Sequence, residues 1–280
     1  MRVRELLRAD GIAVHDILCT AGPHTRPFEE AHGGHSIAYV RRGSFGYACQ
    51  NCRAELLAGG TLLGRPGDGF TCTHEHSQGD ACLSIQLAPE RAAELAETAT
   101  PWRRGALPPL PATVALGELL HATAIGATTL ALEEAALLYA GRAIAAAREQ
   151  QPATSATPTE RRRAVAAAQW IEAHAAAPID LAQAAAFAGL SRFHFLRGFT
   201  RVLGITPHQH LLRARLRHAA ALLIAGASVT EAAMTAGFGD LSQFTRRFRQ
   251  ATGIAPGGFR ALAREDRNNR QARLARAALA

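Results

Sequence analysis

The chain has no lysine, and its 31 basic side chains other than histidine are all arginines. The formal net charge is +8 at pH 7. Residues 1–100 are close to balanced in charge, whereas residues 160–280 carry most of the excess arginine. A basic half beside a nearly neutral half predicts an anionic partner for the C-terminal half, either nucleic acid or a membrane surface.

Long apolar runs are also missing from the sequence. No run is long enough to span a bilayer, and the N-terminal residues MRVRELLRAD lack the apolar stretch of a secretory signal. These absences exclude a transmembrane protein at the level of the sequence. They predict a cytoplasmic protein with no membrane partner.

Cysteine is scarce, and none occurs after residue 82. The five cysteines are Cys19, Cys49, Cys52, Cys72 and Cys82. An odd number of cysteines in a chain expected in a reducing compartment argues against a disulfide framework. Metal binding and buried thiols are two interpretations that the sequence leaves open.

What is present falls into two patterns along the chain. Residues 11–87 hold short apolar or alternating runs separated by glycine- and proline-bearing turns, a pattern typical of a β-sandwich or barrel. Four prolines in residues 101–111 predict that no helix or strand forms there. Apolar residues spaced by three and four in residues 111–150 predict two helices, and the pattern is helical throughout from residue 160.

The predicted fold class is α+β, and a length of 280 residues favours about two domains. The linker is assigned to a small, polar, proline-bearing stretch. The predicted segments are a β-sandwich or barrel domain over 1–100, helices over 101–149 that pack on it or in a dimer interface, the linker over 150–159, an all-α domain over 160–264, and a basic tail over 265–280.

The all-α segment contains an internal repeat. Ala185 and Gly189 correspond to Ala233 and Gly237 at an offset of 48 residues. Two phenylalanines, a glycine and a proline follow in each copy at an offset of 49: Phe195, Phe199, Gly204 and Pro207, then Phe244, Phe248, Gly253 and Pro256. A repeat with helical spacing and a glycine at the same point predicts two helix-turn-helix units, joined by a long helix over about 207–224.

Each unit should present the second of its helices to DNA. Phenylalanines four residues apart share the buried face, which leaves the opposite face for base edges in the major groove. The predicted DNA-binding residues are Arg192, Phe193, Leu196 and Arg197 in the first unit, and Leu241, Ser242, Thr245 and Arg246 in the second. Arg197 and Arg246 occupy equivalent positions and are the candidates for bidentate guanine contacts. The alternative for each is a solvated arginine on a surface helix.

Residues 160–262 resemble the AraC/XylS family of bacterial transcription regulators. The second unit carries the resemblance most specifically, with the run AMTAGFGDLSQFTRRFRQATGIAP over 233–256. Departures are small: Ala255 stands where the family often has a polar residue, and Gly257 and Gly258 alter the ending after the proline. The resemblance implies a cupin-like sensor domain before the DNA-binding domain. It implies double-stranded promoter or operator DNA and a small-molecule effector as partners, and leaves RNA polymerase contact and homodimer formation open.

Six residues in the β-rich segment are candidate metal ligands. Cys49 and Cys52 form a Cys-x₂-Cys pair between two predicted strands. Cys72, His74 and His76 alternate, so on a strand they would project from one face, with Cys82 on the next strand. Structural zinc, bound by four of the six, is the expected cofactor. The alternative is a set of buried thiols and solvent-facing histidines.

The sequence is compatible in part with three functions. The leading hypothesis is a sequence-specific DNA-binding transcription regulator without enzymatic activity. A metal-dependent cupin-type enzyme fused to a DNA-binding module is the alternative, but residues 30–87 hold few carboxylates, and several of them look like turn residues. A repair protein with a metal-bound methyl-accepting thiolate would need a Pro-Cys active site, which the sequence lacks.

Overall fold

The computed structural model describes residues 1–50, 52–96, 98–128, 130–149 and 156–263. A β-rich N-terminal half precedes a helical C-terminal half, which is the mixed architecture that the sequence predicts. None of the helices in these residues is both long and apolar enough to cross a membrane. The basic tail 265–280 and the greater part of the linker 150–159 lie outside the described residues.

Strands dominate the first 107 residues. They are β1 (Arg2–Ala9), β2 (Ile12–Cys19), β3 (Phe28–Ala31), β4 (His35–Cys49), β5 (Cys52–Leu57), β6 (Thr61–Gly64), β7 (Gly69–Thr73), β8 (Asp80–Leu87) and β9 (Ala106–Leu107). All the pairings between them are antiparallel. One sheet has the order β1-β2-β8-β4-β6-β9, and β5 and β7 flank the far end of β4, with β3 beside β7.

Strand β4 belongs to two sheets, the one just described and a second one that it forms with β3, β5 and β7. Its first part, residues 35–43, pairs with β8, and its second part, residues 44–49, pairs with β5 and β7. A bulge and the positive φ of Gly43 (80°) redirect the chain between the two parts. A Cβ on Gly43 would lie 2.3 Å from the carbonyl oxygen of Gly79, so this close approach requires glycine.

The prediction that residues 101–111 contain neither helix nor strand was wrong. Trp102–Arg104 form a short 3-10 turn, and Ala106–Leu107 form β9 beside β6. The prolines at 108 and 109 follow β9 directly, so they remove no donor from its pairing with β6. Proline thus ends this edge strand without preventing it.

Helices cover most of the remaining described chain. They are α1 (Pro89–Leu95), α2 (Pro111–Ala124), α3 (Leu132–Glu149), α4 (Pro158–Ala173), α5 (Leu181–Phe187), α6 (Arg192–Leu203), α7 (Pro207–Ala225), α8 (Val229–Thr235) and α9 (Leu241–Thr252). Residues 256–263 are also helical. The helical pattern predicted from residue 160 onward is confirmed, and the long helix predicted over about 207–224 is α7. Asp180 caps α5 by accepting a hydrogen bond from the Gln183 backbone N–H.

The two halves of the chain share hydrophobic cores. Phe244 and Phe248 of α9 belong to one buried cluster with Leu120 of α2 and Tyr139 of α3. Helix α2 therefore packs against the second helix-turn-helix unit as well as against the β-rich half. The first unit has a separate core, to which β5 contributes Leu57.

Candidate DNA interface and neighbouring ligand sites

The two helix-turn-helix units are α5 with α6 and α8 with α9. Ala185 and Ala233 are buried where the first helix of each unit meets its neighbours, and the turns place Gly189 and Gly237 at φ values of 64° and 88°. Small residues at the crossing and glycines in the left-handed region are what a helix-turn-helix unit requires. The two predicted helix-turn-helix units are confirmed.

Both second helices begin at a side-chain cap. The hydroxyl oxygen of Ser191 accepts a hydrogen bond from the backbone N–H of His194 at 3.4 Å. The carboxylate of Asp240 accepts from the backbone N–H of Ser242 at 2.8 Å. Each cap satisfies a free donor of the first turn and fixes where the helix starts. The caps thereby set which residues of α6 and α9 face outward.

The inward faces of α6 and α9 carry the repeated phenylalanines. The rings of Phe195 and Phe199 have centroids 5.4 Å apart, and Phe244 and Phe248 have the same separation. All four side chains are at most 2% exposed. The predicted core role of these residues is confirmed, and it anchors each helix with its other face toward solvent.

The four predicted DNA-binding residues of α6 are all exposed. Phe193 is 62% exposed, which is unusual for a phenylalanine on a structured helix. The guanidinium carbon of Arg197 lies 5.4 Å from the centroid of the Phe193 ring. This stacking holds an arginine beside an apolar side chain on the open face of α6.

On α9, Leu241, Ser242 and Arg246 are exposed, and Thr245 is half-buried. The face is less apolar than that of α6. Arg246 is the feature that the two faces share, because it stands where α6 has Arg197. Two exposed helix faces with one common arginine and different neighbours are suited to contact two different DNA half-sites.

The six predicted metal ligands do not all meet. Cys49 and Cys52 face each other across the β4–β5 hairpin, where burial raises the pKa of the Cys52 thiol to about 12. Strand β7 ends at Thr73, so His74 and His76 lie in the following loop, and the expected alternation from Cys72 along one strand face was wrong. A strand periodicity holds only as far as the ladder of hydrogen bonds continues.

One of the six, His74, joins a buried cluster that sequence reasoning missed, and a second, Cys82, borders it. The cluster consists of Cys19, His74 and Asp80, whose ligand-type atoms lie within 4.8 Å of one another. Cys19 and Asp80 are opposite partners in the pairing of β2 with β8. Asp80 opens β8 and is 6% exposed. Cys82 lies beside the cluster, and its thiol donates a hydrogen bond from Sγ to Asp80 Oδ1 at 3.4 Å.

A cavity of about 690 Å³ opens beside this sheet. Its lining is predominantly basic, with one carboxylate. The lining residues are Arg2, Arg4, Asp16, Leu18, Arg41, Arg42, Ala81 and His121. Asp16 is paired with the guanidinium groups of both Arg41 and Arg4, and the excess of arginines over this one carboxylate gives the cavity a net positive charge. A cavity of this size and charge suits a small anionic molecule.

Polar side chains connect the β-rich half to the DNA-binding half. Arg217 of α7 contacts Glu118 of α2 at 3.9 Å and is ion-paired with Glu172 of α4. Glu118 also accepts a hydrogen bond from the Tyr39 hydroxyl at 2.6 Å. Gln169 of α4 donates to the carbonyl oxygen of His76 at 3.2 Å. The loop after β7 and the centre of β4 therefore both touch the helical half.

Comparison with known proteins agrees with this architecture. The sequence profile of a family described as a helix-turn-helix domain matches residues 184–262. The MmsAB operon regulatory protein of Pseudomonas aeruginosa is 32% identical over 97 residues, which cover 34% of this chain and 32% of that protein. A probable transcriptional regulator, LumQ, of Photobacterium leiognathi is 34% identical over 98 residues, covering 35% of this chain and 40% of LumQ.

Among solved structures, the DNA-binding domain of AdpA, a global transcriptional factor in complex with a target DNA, is 31% identical. That match covers 38% of this chain and 96% of the AdpA domain, with a TM-score of 0.36. The aligned part spans only 32% and 40% of the two curated relatives. Residues 184–262 of this chain therefore form a helix-turn-helix domain, and this part of the chain is similar to that of known transcription regulators.

Proposed function

We propose that the whole chain is a sequence-specific DNA-binding transcription regulator whose N-terminal half, a cupin-like domain, senses a small-molecule effector. The observation that carries this proposal is the pair of exposed faces on α6 and α9, with Arg197 and Arg246 at equivalent positions. Both faces stay exposed although α9 is docked on α2. DNA can therefore reach the two helices without separation of the halves.

The operator should be asymmetric, because the two faces differ. Apart from the shared arginine, α6 offers Phe193 and Leu196 where α9 offers Ser242 and Thr245. One chain with two unlike recognition helices needs no palindrome, in contrast to a dimer with one helix-turn-helix unit per subunit. Two major-groove contacts one helical turn apart, about 34 Å, set the length of the site.

Selection of bound duplexes from a random DNA library tests the proposal. The full chain should enrich one asymmetric motif, and the double variant Arg197→Ala/Arg246→Ala should enrich none. A matched double variant that removes two exposed arginines of the N-terminal half, Arg8→Ala/Arg91→Ala, should keep the motif. Enrichment of no motif by the unaltered chain at several salt concentrations would overturn the proposal.

The effector is proposed to be anionic and to bind in the arginine-lined cavity. The support is the excess of guanidinium groups over carboxylates in its wall. Small carboxylates should raise the melting temperature of the protein by mass action, and their neutral amides should not. The variant Arg4→Ala/Arg42→Ala should lose this response, and the proposal fails if carboxylates and amides act alike.

We favour a transcription regulator over the alternative, a metal-dependent enzyme fused to a DNA-binding module. Both curated relatives reported above are named as regulatory proteins. Homodimer formation, contact with RNA polymerase and a cytoplasmic location stay predictions. Sedimentation of the free chain and of its DNA complex distinguishes one copy per site from two. One copy per asymmetric site is the expected result for a chain with two recognition helices.

A further inference from the structure

Three different donor atoms converge inside the β-rich half. Cys19 Sγ lies 3.5 Å from His74 Nε2, and the same Nε2 lies 3.0 Å from Asp80 Oδ2. All three residues are buried, with Cys19 7%, His74 5% and Asp80 6% exposed. A thiol, an imidazole and a carboxylate in contact with one another are a set of metal-binding groups away from solvent.

Hydrogen bonding gives the Cys19 thiol only a weak role in this arrangement, because the sulfur can at best share the proton that Nε2 donates to Asp80. A single imidazole nitrogen carries either a proton or a lone pair, so Nε2 cannot donate to Asp80 and accept from Cys19 at once. A Cys-His-Asp catalytic arrangement also fails here, because the histidine of such a triad contacts its two partners through different nitrogens. Three ligand-type atoms within 4.8 Å of one another can instead surround one common ion.

The distances agree with a tetrahedral ion. Zinc bonds of about 2.0–2.3 Å place neighbouring ligand atoms roughly 3.3–3.7 Å apart in a tetrahedron. The sulfur–nitrogen separation of 3.5 Å falls in that range. The nitrogen–oxygen separation of 3.0 Å is slightly shorter, so these two atoms would have to move slightly apart. A mixed sulfur, nitrogen and oxygen set favours zinc over magnesium or calcium, which prefer oxygen ligands.

The surrounding structure holds these side chains in place. A Cβ on Gly79 would lie 2.2 Å from the carbonyl oxygen of Cys19, so glycine is needed for the loop to approach β2. The rings of Phe28 and Phe45 stack about the His74 imidazole at 6.3 and 6.1 Å. Asp80 is oriented by the thiol of Cys82, which donates to its second oxygen. Metal sites use such outer contacts to fix their ligands.

We propose that Cys19, His74 and Asp80 bind one zinc ion through the Cys19 thiolate, His74 Nε2 and an Asp80 carboxylate oxygen. Zinc replaces the protons of the thiol and the imidazole nitrogen, so that all three donors are satisfied together. Three protein ligands leave one tetrahedral position, which Cys82 can fill if its side chain turns from Asp80. The Cys49–Cys52 pair is not part of this site.

The site reaches the DNA-binding half through the loop between β7 and β8. His74 and Asp80 bound that loop, and its His76 carbonyl oxygen accepts the hydrogen bond from Gln169 of α4. Ser77 in the same loop donates to the carbonyl oxygen of Ser44, whose hydroxyl also contacts Gln169 at 3.2 Å. Zinc that orders this loop would therefore stiffen its contact with α4. This consequence rests on the proposed function, whereas zinc binding itself does not.

Metal content and affinity test the site on the full chain, without DNA. Purified protein should hold one zinc per chain by elemental analysis, and the variants Cys19→Ser, His74→Gln and Asp80→Asn should hold much less. Titration of metal-free protein should show at least a 100-fold weaker affinity in these variants and a loss of about 10–100-fold in Cys82→Ser. The matched control Cys49→Ser/Cys52→Ser should bind zinc as the unaltered chain does.

Cobalt substitution in the unaltered protein keeps the test decisive if a variant fails to fold. Cobalt bound at this site should show a thiolate-to-metal charge-transfer band and the visible bands of a tetrahedral ion. Zinc content near zero, a cobalt spectrum without the thiolate band, or loss of zinc only in the Cys49→Ser/Cys52→Ser protein would each overturn the proposal. A separate measurement of DNA affinity with and without zinc then tests the regulatory consequence alone.

Discussion

Arg217 in α7 donates a hydrogen bond from Nη1 to the backbone carbonyl oxygen of Arg41 in β4 at 3.3 Å. The two residues have different surroundings. The Arg41 side chain lines the basic cavity, whereas α7 is the helix that joins the two helix-turn-helix units. We therefore expect a change in the position of β4 at this point to affect the helix that joins the two helix-turn-helix units.

Replacement of Arg217 should weaken the contact between the halves. Arg217→Ala leaves Glu118 and Glu172 without their shared guanidinium, and both carboxylates are mostly buried. We expect the free energy of unfolding to fall by about 1–3 kcal/mol, as for other partly buried groups that lose a charged partner. Urea denaturation followed by circular dichroism measures this loss.

The control for Arg217→Ala is Arg8→Ala, since Arg8 pairs with Glu5 on the surface. Exposed ion pairs contribute little, so this variant should unfold at the urea concentration of the unaltered protein. Equal loss in the two variants would contradict a specific role for Arg217 at the interface. Glu118→Gln should restore part of the stability in the Arg217→Ala background, because it removes the unpaired charge.

The equivalent turn glycines should differ in their tolerance of alanine. Both have positive φ, which costs a residue with a Cβ about 1–2 kcal/mol. A Cβ at Gly189 has no atom within 4 Å, whereas a Cβ at Gly237 would lie 2.8 Å from the carbonyl oxygens of Ala175 and Ala176. Gly189→Ala should therefore cost about 1–2 kcal/mol, and Gly237→Ala about 3 kcal/mol or more. Similar urea midpoints for the two proteins would show that the contact at Gly237 relaxes freely.

A buried histidine should make the fold sensitive to acid. Burial lowers the pKa of His210 to about 4, although its Nε2–H donates to the carbonyl oxygen of Ala168 at 3.2 Å. Glu172 lies 4.0 Å away, but it is engaged by Arg217. The folded state thus binds the proton less readily than the unfolded state, whose pKa is about 6.5. Stability from this group is present above about pH 6.5 and declines as the pH falls toward 4.

At pH 5 the unfolding free energy should be about 2 kcal/mol lower than at pH 7.5 on account of His210. His210→Gln should remove this part of the pH dependence. His208→Gln, at an exposed position on the first turn of the same helix, should keep it. If both variants retain the full slope between pH 7.5 and 5, another group is responsible.

The parts of the fold that could be predicted depend on neighbours in sequence. The caps at Ser191 and Asp240, the turn glycines and the phenylalanines spaced by four each act within one or two helical turns, so they are visible without a structure. The docking of α9 on α2 could not be predicted, because both helices offer apolar faces that fit several partners. Strand β1 was missed for a related reason, since it is largely exposed and lacks an apolar face.

The candidate metal ligands likewise could not be grouped correctly from neighbours in sequence. The motif of Cys72, His74, His76 and Cys82 includes the loop that holds His74, but which side chains meet there depends on strand register. Cys19 lies 55 residues from His74 in sequence and meets it only because β2 pairs with β8. Sequence spacing alone gives no sign of that register.

The last prediction concerns how α9 recognises its half-site. Arg246 lies on the exposed face of α9 in the position that the repeat equates with Arg197, and Arg249 lies in the last turn of the same helix. Arg246→Ala should cost roughly 1–3 kcal/mol of binding to the selected operator and relax specificity at one base pair, because a bidentate guanine contact discriminates between bases. Arg249→Ala should lower the affinity for the operator and for random DNA by the same factor, because a phosphate contact carries no sequence information. It should also reduce the salt dependence of binding.

Fluorescence anisotropy with the operator, its single-base variants and a random duplex separates the two cases. With Arg246→Ala, one of the base-pair substitutions that lowers the affinity of the unaltered protein should no longer do so. Substitutions at the other positions should still lower it. If Arg246→Ala instead loses the same factor on every duplex, Arg246 contacts phosphate, and specificity in this half-site must come from Ser242, Thr245 or the shape of the DNA.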